Sequence, residues 1–297
     1  MTAAASTAPA SRAGIWLALF ALYFIWGSTY LGIRVAVETL PPLLMAGVRF
    51  LLAGGLLYGF LRARGVPAPT RLEWQNSAKL GVLLIFAGNG LVTVAEKEGV
   101  SSGLAATLIA IMPLGAAFWA GLWGKWPRAL EWVGLLLGVL GVALLSLDGS
   151  LRANPLGLVL MIVAPLSWAF GTVWSRHLEI PKGPMLSAAQ MLTGSAVLLV
   201  VGFVSGERFT QVPSSASLWA LFYLITFGSI VAFSAYLYLV ARVAPTLATS
   251  YAYVNPVVAL LLGALFAGEH ISVNAYLAVP IILGAVGLVA WAQARAR

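Results

Sequence analysis

Ten apolar stretches, each long enough to cross a bilayer as a helix, follow one another along the chain and leave room for little else. An α-helix rises about 1.5 Å per residue, so about 20 apolar residues cross a hydrocarbon core of roughly 30 Å. Scanning on that basis places spans at 14–36, 42–62, 76–97, 101–122 and 129–147, then at 155–177, 184–205, 216–241, 246–267 and 273–294. Turn chemistry separates them, as at Pro41-Pro42, Trp126-Pro127, Asn154-Pro155 and the run Pro181-Lys182-Gly183-Pro184. The joining loops are too short for a separate soluble domain. Of the 297 residues, 61% are hydrophobic and only 9% charged, whereas a soluble domain carries about a quarter charged residues. The expected fold class is therefore all-α and integral to a membrane. The first apolar segment runs from Gly14 past Val35 and no small-residue cleavage site follows it, so it reads as a retained span rather than a signal peptide. Residues 1–13, rich in Ala, Ser, Thr and Pro, read as a disordered cytoplasmic start.

The net charge of +8 follows from topology rather than from nucleic-acid binding, because Lys and Arg collect in cytoplasmic loops of membrane proteins. With a cytoplasmic N-terminus, the inner side holds Arg12, Arg62, Arg64, Arg71, Lys79, Lys125, Arg128, Arg176, Lys182, Arg242, Arg295 and Arg297. The outer side holds Arg34, Lys97, Arg152 and Arg208. Removing one span would scramble that asymmetry, so an even number with both termini inside is expected.

The two halves repeat one another. Trp26 and Arg34 stand eight residues apart in the first span, as do Trp168 and Arg176 in the sixth. At the same offset Leu56-Leu57 falls on Leu198-Leu199. The fourth span reads Leu104-Ala105-Ala106-Thr107 and then Pro113; the ninth reads Leu247-Ala248-Thr249-Ser250 and then Pro256. Five spans per half is an odd number, so the second half must enter the membrane upside down relative to the first. Inverted repeats of this kind place a substrate path between the halves near the membrane midplane. The expected organisation is 14–148 as one repeat and 149–297 as the second, with a central cavity between them.

The first span carries Ile25-Trp26-Gly27-Ser28-Thr29-Tyr30, and span two carries Arg49-Phe50-Leu51-Leu52-Ala53; both resemble the opening signatures of a known family. The proline of the fourth span and a Gly-rich fifth span entered through Glu131-Trp132-Val133-Gly134 complete one repeat. The chain resembles the drug/metabolite transporter superfamily in its ten-helix form with two EamA-type repeats. Within it, the chain is similar to bacterial exporters of amino acids and related metabolites, the aromatic-amino-acid exporters included. One departure stands out: the loop after the fourth span, which usually carries an acid, reads Gly124-Lys125-Trp126, while the second repeat keeps Gly268-Glu269. The resemblance implies a bacterial inner-membrane carrier working by alternating access.

Candidate residues for the path are the polar and aromatic side chains within spans. Trp26, Thr29 and Tyr30 lie in the first span, and Asn89, Thr93 and Glu96 share a face of the third. Trp168 and Thr172 lie in the sixth, Phe233 and Tyr236 in the eighth, and Ser250 and Tyr253 in the ninth, with Tyr251 and Asn255 on an adjacent face. Rings can stack on a solute or hold a cation, and hydroxyls and amides can orient a zwitterion. The same residues can equally serve as glue between helices. Arg49 is the one charge placed well inside the hydrocarbon, where a guanidinium is costly unless paired. It reads either as a functional group or as a clamp on a neighbouring helix. Pro113 and Pro256 each free a backbone carbonyl in mid-helix and read as hinges or as packing kinks. Glu96 is placed at the outer end of its span as a structural or gating candidate; with no Asp, Glu or His expected near mid-membrane, transport reads as facilitated or as coupled by groups near the ends such as Glu96.

No catalytic constellation, metal site or cofactor site is expected. The chain has no cysteine and its two histidines, His177 and His270, fall at span ends. The partners implied are a small-molecule substrate and the lipid bilayer, with the protein acting as a monomer. Export of amino acids is the leading expectation. Efflux of lipophilic cationic drugs is the nearest rival, and a structural membrane subunit without transport is a third class.

Overall fold

The computed structural model describes residues 12–100, 105, 108–145, 154–266 and 273–295; the N-terminal stretch 1–11 and Glu269 lie outside them. Every regular element among the described residues is helical. In chain order the main helices are α1 (Arg12–Ala36), α2 (Pro42–Ala63), α3 (Arg71–Lys97), α4 (Met112–Leu122) and α5 (Ala129–Leu145). The second set is α6 (Pro155–Trp174), α7 (Pro184–Val204), α8 (Ser215–Val240), α9 (Tyr251–Phe266) and α10 (Val273–Ala294). Six of them, α1, α2, α3, α6, α7 and α8, are long and apolar enough to cross a membrane.

Local chemistry explains where the helices begin. Thr70 accepts from the Glu73 amide while the Glu73 carboxylate accepts from the Thr70 amide. This capping box satisfies two otherwise orphaned donors and starts α3 five residues before the apolar stretch does. Asn154 and Ser214 cap α6 and α8 in the same sense. Pro42, Pro155 and Pro184 sit in first turns, where no amide donor is needed. The N-terminus of α2 is capped from the other half of the chain, with Glu207 accepting from the amides of Leu43 and Leu44 at 3.1 and 2.9 Å.

Pro113 departs from its expected place. A turn at Ala110–Ile111 ends the preceding stretch, and Pro113 stands in the first turn of α4 rather than in mid-helix. Its fixed φ and missing amide suit that position. In the second half the chain breaks at Thr249–Ser250, after the single turn Pro245–Ala248, and Pro256 lies inside α9. Helices α3 and α8 each contain a π-helical stretch, Gly81–Gly90 and Leu224–Val231.

Contacts between the helices respect a two-fold exchange of the halves. Helix α2 packs along α7, and α5 along α10. The contact of α1 with α9 has its counterpart in α6 with α4, and that of α1 with α8 in α6 with α3. Gly134 and Gly141 make the α5–α10 approach possible, since a Cβ on either would come within 2.7 Å of Val289 or Ile282. A Cβ on Gly284 or Gly287 of α10 would meet no atom within 4 Å.

The outside of the bundle is apolar: Trp16, Leu17, Phe20, Leu140, Val204 and Leu277 are all exposed. The inside holds buried polar groups, among them Thr29, Arg49, Thr93, Gln190 and Asn255. That distribution suits a lipid solvent, where apolar side chains face outward at no cost and polar groups turn inward. Cross-links tie helix ends together at the two faces of the bundle. Asn76 Nδ2 donates to the Glu179 carbonyl on the face that bears Arg12, hereafter the N-face, and Lys97 Nζ donates to the Val37 carbonyl on the far face.

Candidate functional site

A cavity of about 60 Å³ lies between the two halves at the centre of the bundle. Its wall takes Trp26, Thr29 and Tyr30 from α1, Arg49 from α2, Asn89 from α3, Trp168 from α6, and Tyr251 and Asn255 from α9. Gly88 is part of the wall for a steric reason: a Cβ there would stand 2.3 Å from Trp168 Cε3. The indole of Trp168 fills that space and lies over the backbone of α3. Ligand pockets for small molecules usually measure about 300–1,000 Å³, so a solute enters only when side chains or helices move apart.

Rings from both halves form a layer on the N-face side of this cavity. Trp26 meets Trp168 edge to face with centroids 5.4 Å apart, and meets Tyr251 at 4.7 Å and Tyr236 at 5.3 Å. Phe233 packs against Trp168 at 6.0 Å. The layer is pinned by hydrogen bonds between helices. Trp26 Nε1 donates to the Gly228 carbonyl at 2.9 Å, inside the π-helical stretch of α8. The hydroxyls of Thr172 and Tyr236 share a hydrogen bond, as do those of Tyr23 and Ser250 at 2.6 Å.

A second cavity of about 130 Å³ opens at the N-face, lined by Trp123, Lys125, Glu131, Arg176, His177 and Thr246 among others. Trp123 stacks on His177 with centroids 5.2 Å apart. Arg176 Nη2 donates to the Val240 carbonyl at 2.7 Å and also to that of Val243, tying α6 to the end of α8 and the turn that follows it.

The sequence candidates therefore separate into groups. Trp26, Thr29, Tyr30, Asn89, Trp168 and Arg49 come together in the wall. Thr172, Phe233 and Tyr236 belong to the ring layer, and Ser250 is engaged by Tyr23. Thr93 is buried and returns its hydroxyl to the Asn89 carbonyl. Tyr253 lies elsewhere: its hydroxyl donates to the Leu135 carbonyl at 3.0 Å, in the core shared by α5, α9 and α10. Tyr251 and Asn255, on the neighbouring face of α9, take the cavity position. Neither carboxylate oxygen of Glu96 is solvent-accessible or hydrogen-bonded among the described residues. Asn255 Oδ1 is likewise buried without a hydrogen bond among the described residues. Polar groups left open in a cavity wall are available to a ligand. Among the described residues no cluster of three or more His, Asp or Glu is placed to hold a metal.

A membrane-embedded helical bundle that encloses a polar, aromatic cavity between two repeats defines the class, a membrane transporter. The chain belongs to the EamA-like transporter family, whose family model matches residues 12–147 and again 155–291. Family membership makes it a transporter and not an enzyme. It is 48% identical over 272 residues to the Escherichia coli protein named "Uncharacterized inner membrane transporter YedA", covering 92% of this chain and 89% of that one. It is 27% identical to "WAT1-related protein At3g02690, chloroplastic" of Arabidopsis thaliana, covering 92% and 69%, and 26% identical to the Bacillus subtilis "Uncharacterized transporter YvbV", covering 95% and 92%. A solved crystal structure at 21% identity matches with a TM-score of 0.79, covering 97% of this chain and 100% of that one, a likeness of fold.

Proposed function

We propose that this transporter is a secondary carrier that exports small metabolites, amino acids first and aromatic ones among them, across the bacterial inner membrane by alternating access. The observation that carries the reading is the central cavity walled by both halves, with a layer of rings from both halves packed against it. Two inverted repeats of five helices, 14–148 and 149–297, would rock about that layer, so that opening one side closes the other. The charge asymmetry supports a cytoplasmic N-face with both termini on that side. Amides, hydroxyls and rings together suit an amino acid with its polar head and apolar side chain. The protein works as a monomer in this reading, since one chain supplies the whole path.

Efflux of lipophilic cations is the rival reading. A cation in a low-dielectric site needs a negative partner, and the described wall contains Arg49 but no Asp or Glu. That balance favours solutes with a negative group. Counterflow in proteoliposomes, with a panel of labelled amino acids and one lipophilic cation, tests the choice. Saturable amino-acid exchange is expected. Saturable flux of the cation with none of any amino acid would overturn the substrate reading, and no saturable flux of either would point to a subunit without transport.

A further inference from the structure

Two arginines reach across the interface between helices, and they do so in different ways. Arg176 serves as a clamp: one nitrogen is spent on two backbone carbonyls of a neighbouring segment. Arg49 is 3% exposed and makes one hydrogen bond among the described residues, from Nε to Ser229 Oγ at 2.8 Å. A guanidinium offers five N–H donors in a rigid fork. One is thus spent on a neutral hydroxyl, and no carbonyl or carboxylate among the described residues takes the others. The group stands in the wall of the central cavity, with its carbon 4.6 Å from the centroid of the Phe50 ring. The absence of a side chain at Gly228 leaves it room, since a Cβ there would come within 3.0 Å of Nη2.

A buried cation with no anion beside it is costly, and the cost is larger inside a bilayer than in a soluble core. Ser229 satisfies a donor without neutralising the charge. The neutralising group has to arrive with the ligand, and a carboxylate matches the guanidinium fork with two parallel hydrogen bonds. We infer that Arg49 is the specificity-determining residue of the cavity: its free Nη groups bind the carboxylate of the transported solute. The rings of Trp26 and Tyr251 then face the apolar part, and the open Asn255 Oδ1 is an acceptor for its ammonium. The inference rests on the reading of the cavity as the transport path, and it makes the carboxylate the group without which a solute is not carried.

The test compares acids with their amides. L-phenylalanine against L-phenylalaninamide, and L-leucine against L-leucinamide, keep side chain and ammonium and remove only the negative charge. With purified protein in proteoliposomes, kcat/KM for the acids is expected to exceed that for the amides by about tenfold or more, the range of a charge-assisted hydrogen bond. Arg49→Gln should lower kcat/KM for the acids by more than for the amides, so that the acid preference is lost, while Arg49→Lys retains part of it. The wild-type melting temperature should rise with the acids and not with the amides, a readout that needs no variant to fold. Equal handling of acid and amide by the wild type, or an equal loss for both in Arg49→Gln, would overturn the inference and leave amino-acid export standing. If no acid or amide is carried while a lipophilic cation is, amino-acid export itself falls, and the carboxylate site with it.

Discussion

Trp26 of α1 and Trp168 of α6 occupy matching places in the two repeats, each eight residues before an arginine, and their rings meet edge to face at 5.4 Å and 87°. The repeat thus closes on itself at the centre of the molecule. One indole is held by the Gly228 carbonyl, and the other lies over Gly88. Both indoles stand in the wall of the central cavity. Edge-to-face ring pairs contribute only about 0.5–1.5 kcal/mol beyond their burial, a bond weak enough to be made and broken in a transport cycle.

Replacing Trp168 with Ala removes the ring that contacts Trp26, Phe233 and Tyr236. Large-to-small changes of this kind cost about 3–5 kcal/mol in tightly packed cores. The expected outcome is a lower melting temperature together with a fall in kcat/KM of tenfold or more. Trp168→Phe should keep most of both. Flux and thermal melting of the three proteins check this, and an Ala variant with unchanged flux would remove Trp168 from the path.

Gly88 and Gly55 give a sharper steric contrast. A methyl group on Gly88 overlaps Trp168, whereas one on Gly55 meets nothing within 4 Å. Gly88→Ala should therefore displace the indole into the cavity and cut transport severely, while Gly55→Ala leaves transport intact. Loss of transport in both variants, or in neither, would contradict the placement of the ring.

Glu96 lies on α3 seven residues beyond Asn89 and four beyond Val92, both in the cavity wall. It thus continues that helix face toward the far side. Its carboxylate is buried without a hydrogen bond among the described residues, so it is the group on this face able to carry a proton through the cycle. Glu96→Gln is expected to abolish any uptake driven by a pH gradient while solute counterflow, which needs no net driving force, persists. A gradient-driven flux that survives in the variant would assign coupling to another group.

The membrane class and the position of most helices were legible in the sequence because a bilayer-long apolar run is a strong and local signal. The described helices follow most of the expected spans; α3 starts early, where a polar capping box extends it beyond the apolar stretch, and the fourth and ninth spans are broken at Ala110–Ile111 and Thr249–Ser250. The cavity wall was half legible. Trp26, Thr29, Tyr30 and Asn89 lie on unbroken helix faces, and their spacing kept its meaning. Tyr253 and Tyr251 exchanged roles because the chain breaks at Thr249–Ser250, so the phase of α9 is set by its own start rather than by the preceding residues. The π-helical stretches of α3 and α8 leave no simple mark in residue type, since they arise where neighbouring helices compete for backbone groups, as Trp26 does at Gly228. Pro165 and Pro280 lie inside α6 and α10, while the more conspicuous Pro113 merely begins a helix.

Opposite orientation of the two halves is the claim on which the transport cycle depends, and sided labelling of single cysteines tests it directly. The chain has no native cysteine, so Arg34→Cys and His177→Cys each introduce one thiol, at the repeat-equivalent ends of α1 and of the turn after α6. A membrane-impermeant maleimide added to intact cells should label Arg34→Cys and spare His177→Cys, and inverted vesicles should reverse the pattern. Labelling of both positions from the same side would mean that the halves share one orientation and that no alternating path runs between them.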